Sequence, residues 1–159
     1  MPALACAAAT SHTILGIDPG PTDGAHGWAL LRMAGARPRY LRGGHDALSV
    51  VLAQVVALPA GSRVAVETPE GYVWHKARGK ALLSTATAAG YFAGRARAQG
   101  LALVTPSAQV WRRAVCGKGT VGDADVALVV KRLVDGIPRT NAHVRDAIGV
   151  ALLAALGGR

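Results

Sequence analysis

The sequence predicts an α/β domain built on a five-stranded sheet with helices on both faces. Three observations carry that expectation. Short apolar runs rich in β-branched residues alternate with longer segments of helical apolar spacing, the pattern of a sheet covered by helices. Two of the short runs end in an acid at a turn, as strands do where functional groups gather at the edge of an open sheet. Finally, 51% of the chain is hydrophobic but only 4% aromatic, so the core must be made from Ala, Val and Leu. At 159 residues the chain fits one domain. Residues 1–12 read as a disordered or loosely packed lead-in and 13–159 as the domain, with no linker or repeat dividing it.

Residues 13–18 (TILGID) make a buried strand that stops at Pro19-Gly20. A second strand spans 27–33 (GWALLRM) and a weaker third 37–43, with Gly35-Ala36 as the turn of a hairpin. Residues 47–58 carry apolar residues at helical spacing and end before Pro59. A fourth strand, 63–67 (RVAVE), again ends in an acid. Residues 79–99 form a long helix in which Gly90 and Gly94 allow a close backbone contact, at some loss of helicity. The fifth strand is 101–104. Thr105 then caps a helix with Pro106 at its first position. Val126, Val129, Val130, Leu133 and Val134 form an apolar stripe on a further helix. Val144, Ala147, Ile148, Ala151, Leu152 and Ala155 form another on a last helix capped by Asn141.

Lys and Arg number 18 against 9 Asp and Glu, a formal charge of +9. Such a field attracts polyanions, nucleic acid foremost. Cys6 and Cys116 read as reduced thiols, and neither has His or Cys neighbours at zinc spacing. The first ten residues lack a basic lead and are too short to span a membrane. A cytoplasmic protein with no membrane partner is the expectation.

With nine acids in the chain, their placement is informative. Asp18 and Glu67 end predicted central strands. Asp146 lies on the last helix, and His143, three residues earlier, projects from the same side while Arg145 points elsewhere. If that helix crosses near the strand ends, three carboxylates and an imidazole meet. Clustered carboxylates raise one another's pKa unless a cation compensates, and oxygen-rich sets suit Mg²⁺ or Mn²⁺. Two such ions about 3.5–4 Å apart activate a water and stabilise the leaving oxygen in phosphodiester hydrolysis. The other histidines, His12, His26, His45 and His75, read as packed or solvated residues. Tyr72 and Trp74 lie among His75, Lys76, Arg78 and Lys80, aromatics interleaved with cations that suit exposed bases and phosphates. Arg112, Arg113 and Lys118 approach the strand ends and are expected to hold phosphate. Arg95 and Arg97 flank either a dimer seam or a DNA groove, or simply face solvent.

The segments 14–20 (ILGIDPG), 64–67 (VAVE) and 143–147 (HVRDA), in that order, resemble the successive active-site motifs of the RuvC family of Holliday junction resolvases. Residues 104–134 and the small-residue helix 86–94 are similar to the family's intervening stretches, so the likeness runs from about residue 14 to the end. The resemblance implies an RNase H-like fold, a homodimer, divalent-metal catalysis with two ions per site, and cleavage of four-way DNA junctions. It implies Asp18, Glu67, His143 and Asp146 as the catalytic and metal-holding set, His143 as ligand or proton relay, and an aromatic wedge at Tyr72 or Trp74. Three features depart from the pattern. The loop after Asp18 is longer and carries Asp23, Arg112 replaces a family lysine, and Asp123 stands where another lysine is expected, with Lys118 as a nearby substitute cation. These departures bear on strict four-way selectivity. Rival readings are a nuclease of the same fold for other branched DNA and a non-catalytic DNA-binding module. An actin-like nucleotide hydrolase would need a second such domain.

Overall fold

In the computed structural model, residues 12–35, 37–69 and 76–157 are described, with side chains for all of these except 34 and 76–78. β1 (His12–Asp18) lies at the centre of the sheet, flanked by β2 (Ala25–Ala34) and then β3 (Arg37–Ala47) on one side, and by β4 (Arg63–Val66) and β5 (Ala102–Val104) on the other. β2 and β3 form an antiparallel hairpin on β1, whereas β4 and β5 run parallel to it. The parallel strands are reached through helices, as parallel pairing requires. α1 (Leu48–Val56) precedes β4 and α2 (Lys76–Ala98) precedes β5. α3 (Ala108–Cys116), α4 (Asp123–Leu133) and α5 (Ala142–Ala155) follow.

The period of two along a strand sorts the core into two layers. Leu15, Ile17, Val64 and Val66 pack with Val51, Val55, Ala88 and Phe92 under α1 and α2. Ile14, Ala29, Leu31 and Ala65 face the other way, against Trp111, Val126, Val130 and α5. The helices cover both faces, as expected. Continued by the same parity, Asp18 and Glu67 belong to the α5 face.

α5 is buried almost all round, from Val144 to Ala154, because the sheet lies under it and α3 and α4 pack beside it. Two glycines let it descend onto the strands. A Cβ on Gly16 would run into the Ala147 carbonyl oxygen and come within 2.8 Å of Ala151 Cβ, and one on Gly27 would press on the backbone of His143. The helix is therefore seated directly on the backbones of β1 and β2. Asn141 caps it, its Oδ1 accepting from the Val144 N–H at 2.9 Å.

Several expected details are corrected. His12 belongs to β1 and not to a lead-in; residues 1–11 lie outside the described residues. β3 runs on to Ala47, so α1 begins one residue later than expected. α3 starts at Ala108 with Ser107 as N-cap, not at Thr105-Pro106. There the chain stays extended because the Thr68 N–H donates to the Pro106 carbonyl and Thr68 bridges Ser107. The stripe on α4 is narrower than predicted, with Val126, Val130 and Val134 buried and Leu133 exposed. Among the described residues Gly90 and Gly94 make no close contact: nothing lies within 4 Å of a Cβ at either. The buried side of α2 is Ala88, Ala89, Phe92 and Ala96, leaving Leu83, Gly90, Tyr91 and Gly94 on an open face.

Candidate functional site

Asp18 ends β1, and the next residue of the parallel neighbour is Glu67, whose N–H donates to the Ile17 carbonyl at 2.9 Å. Strand pairing alone therefore brings the two carboxylates side by side on the α5 face. α5 crosses above with His143 and Asp146 in its first turns. His143 Nδ1 is 2.8 Å from Asp18 Oδ2, and with Asp18 ionised the ring nitrogen is the donor. Asp146 Oδ2 is held by Arg112 Nη2 at 3.0 Å. Glu67 Oε2 accepts a 2.6 Å bond from Trp111 Nε1. The sequence-predicted set of Asp18, Glu67, His143 and Asp146 is thus brought together. Arg145 does point elsewhere, donating to the Thr140 carbonyl.

The carboxylates are poorly solvated. The side chains of Asp18 and Asp146 are 13% and 16% exposed, against 56% for His143. Burial raises the pKa of Asp18 to about 6, against the pull of the His143 hydrogen bond. Burial and then the charge of Asp18 raise Glu67 to about 7, partly offset by the Trp111 bond. Burial also raises Asp146, opposed mainly by Arg112. Three acids of raised proton affinity are under-compensated in charge, and a divalent cation among hard oxygen donors would supply what is missing. The donor set fits such an ion. Among the described residues no three of these groups yet converge on one point at ligating distance; each carboxylate holds an N–H donor instead.

Of the expected DNA contacts, Lys80, Arg113 and Lys118 are exposed, and Arg112 is committed to Asp146 as the basic member of the site itself. Lys76 and Arg78 open α2, but their side chains fall outside the description, and Tyr72 and Trp74 lie outside the described residues. Asp123 begins α4, where an acid complements the helix N-terminus, and its charge contributes to the raised pKa of Asp146. Asp23 is exposed in the turn closed by the Gly24 N–H on the Pro21 carbonyl.

Three residues were missed by reading the sequence. Trp111 is fully buried against Gly149, where a Cβ would meet its ring, and aims its only donor at Glu67. Its signal was a lone aromatic on the buried side of a helix otherwise marked by cations. His26, read as packed or solvated, is buried, and its Nδ1 accepts from the Gly20 N–H at 3.0 Å and so pins the loop leaving Asp18. His45, read as an ordinary residue, stacks on His143. Trp111→Phe keeps a ring in the slot and removes the donor. A hydrogen bond to a charged group is worth about 1.5–3 kcal/mol, so the proton affinity of Glu67 in the metal-free protein is expected to rise by about one to two pH units, read as the midpoint of its carboxyl ¹³C shift against pH.

The sheet order β3-β2-β1-β4-β5, its strand directions and the acids gathered beneath α5 define an RNase H-like domain of the nuclease kind. No family model matches the chain. A crossover junction endodeoxyribonuclease RuvC from Acidiphilium cryptum (strain JF-5) is 34% identical over 164 residues, covering 89% of each chain. The Thermus thermophilus RuvC structure superposes with a TM-score of 0.67 at 23% identity, covering 92% of this chain and 97% of the other. The T. thermophilus RuvC in complex with a Holliday junction substrate superposes at 0.71 and 22% identity, with the same coverage. The chain belongs to the RuvC family of crossover junction endodeoxyribonucleases.

Proposed function

We propose that the protein is a structure-selective endonuclease that cuts four-way DNA junctions by divalent-metal-assisted phosphodiester hydrolysis, acting as a homodimer in DNA recombination and repair. The observation that carries this reading is the meeting of Asp18, Glu67 and Asp146 beneath α5, each with raised proton affinity, in a chain of this family. Asp18, Glu67, Asp146 and His143 are the groups that would hold Mg²⁺ or Mn²⁺, two ions per site. When bound, such ions supply positive charge to the phosphoryl oxygens as negative charge develops there.

The chain's own residues do the rest. Trp111 and Arg112 hold Glu67 and Asp146 in place from the α3 side. His143, with Nδ1 on Asp18, has Nε2 as its second nitrogen, which serves as a ligand or relays the proton of the attacking water. Lys80, Arg113 and Lys118, with Lys76 and Arg78, hold the DNA backbone, and Tyr72 or Trp74 stacks on an opened base. The open face of α2, with Leu83, Gly90, Tyr91 and Gly94, is the surface for a second copy. Among the described residues no helix is long and apolar enough to cross a membrane, and a cytoplasmic place with the DNA fits the proposed work.

A second reading, a nuclease for branched DNA more broadly, is favoured by Asp123, whose negative charge lies close enough to perturb Asp146. The two separate on a panel of labelled four-way junction, three-way junction, flap, duplex and single strand, cut by wild type and Asp146→Asn with Mg²⁺. Paired symmetrical nicks on the four-way junction alone, absent in the variant, are the expected result. Equal cutting of flaps, also lost in the variant, would favour the second reading, and tight binding with no metal-dependent cutting would leave a binding module.

A further inference from the structure

We infer that His45 is a positioning residue for His143, holding the imidazole face-on so that its edge stays on Asp18. This rests on the nuclease reading above for its consequence, but the contact itself is independent of it. The two rings lie 4.6 Å apart between centroids and 10° from parallel. Backbone geometry explains why they meet. His45 of β3 pairs with Gly27 of β2, and Gly27 is the position where a Cβ would press on His143. With no side chain at Gly27, the first turn of α5 rests on β2, and the ring on the paired strand reaches the ring on the helix.

The platform under His45 is fixed. Its neighbour Asp46 accepts a 2.7 Å hydrogen bond from Trp28 Nε1, and Trp28 is buried in the layer beneath α1 and α2. His143, by contrast, is 56% exposed, so an edge contact to Asp18 alone leaves the ring free to rotate away. The stack closes that freedom from the face. His45 is not a further metal ligand in this arrangement: ring-nitrogen lone pairs lie in the ring planes, and in two nearly parallel planes they do not converge on one ion. Its contact with the site is the stack on His143.

An aromatic pair of this geometry favours the stacked over the released ring by roughly fivefold to tenfold. Three proteins decide the matter: wild type, His45→Ala and His45→Phe. Single-turnover cleavage of an immobile four-way junction is measured at saturating protein, junction affinity separately without metal, and the ¹⁵N imidazole spectrum of the metal-free protein, which has five histidines. His45→Ala is expected to slow cleavage about fivefold to tenfold with unchanged affinity and a melting temperature lower by no more than about 4 °C. In the same variant the His143 ring signals should move away from their wild-type positions as its contact with Asp18 loosens. His45→Phe should restore both to within about twofold. Wild-type cleavage and an unmoved His143 signal in His45→Ala would overturn the assignment, as would His45→Phe behaving like His45→Ala. If wild type cuts no junction, the nuclease reading fails while the imidazole spectra still decide the role of His45.

Discussion

Asp18→Asn is expected to reduce junction cleavage by at least about a thousandfold while making the metal-free protein harder to unfold at pH 8. The loss follows from removing a central carboxylate of the proposed cation-holding set, where one charge-stabilising group is worth about 10²–10³ in rate and a shared ligand more. The gain in stability follows from the electrostatics of the site. Asp18 and Glu67 hold protons in the folded chain up to about 6 and about 7, whereas in the unfolded chain they release them near 4. Between those values the folded state binds more protons, so stability falls as pH rises through the interval. The penalty is complete above pH 7 and disappears by about pH 4. Asp18→Asn removes part of it, a gain of about 1–3 kcal/mol at pH 8 that shrinks toward zero at pH 4. Thermal unfolding across that range checks this. Wild type should recover the difference when Mg²⁺ or Mn²⁺ is added, through binding to the folded state, and the variant should recover little. A variant no more stable than wild type at pH 8 would contradict the strain assigned to the carboxylates.

Gly16→Ala is expected to destabilise the fold by about 3 kcal/mol or more, a large share of the 5–15 kcal/mol of a typical domain. The added methyl meets backbone and not a flexible side chain: the Ala147 carbonyl oxygen, Ala151 Cβ at 2.8 Å and Ala151 N at 2.9 Å. β1 or α5 must shift, and either movement separates Asp18 from His143 and Asp146. Cleavage by the folded fraction should therefore drop as well, beyond the loss explained by unfolding. Denaturant midpoints together with activity normalised to folded protein measure the two parts. Gly79→Ala is the matched control. It has open space around it and lies inside α2, where alanine is preferred, so it should be neutral or stabilising by up to about 1 kcal/mol.

The strands and the catalytic candidates could be read from the sequence because each rests on a short-range rule. Ile14 to Asp18 and Val64 to Glu67 alternate between two apolar layers, and period two carries both acids to one face. His143 and Asp146 follow from helical spacing and the Asn141 cap. What escaped depends on pairings far apart in the chain. Thr68 and Ser107 are 39 residues apart by number, and their bridge delays α3 beyond the proline that seemed to start it. The stack of His45 on His143 depends on how β3 registers against Gly27, which no local pattern encodes. Arg112 was rightly placed near the strand ends, but its partner is Asp146. Only the packing of α3 beside α5 distinguishes that contact from a phosphate contact. Gly90 and Gly94 mark a close approach without saying what approaches, and among the described residues nothing of this chain does.

The order in which the site's parts occur along the chain has a consequence for synthesis. Asp18 lies in the first strand, Glu67 just past the fourth, and His143 and Asp146 in the last helix. A nascent chain extended only to Asn141 carries two of the four groups. It also lacks α5, the element that packs on four strands and two helices. The same helix that completes the core therefore arms the centre. On the nuclease reading proposed above, a chain still lacking α5 is expected not to cut DNA, and cutting competence is expected only once α5 has docked.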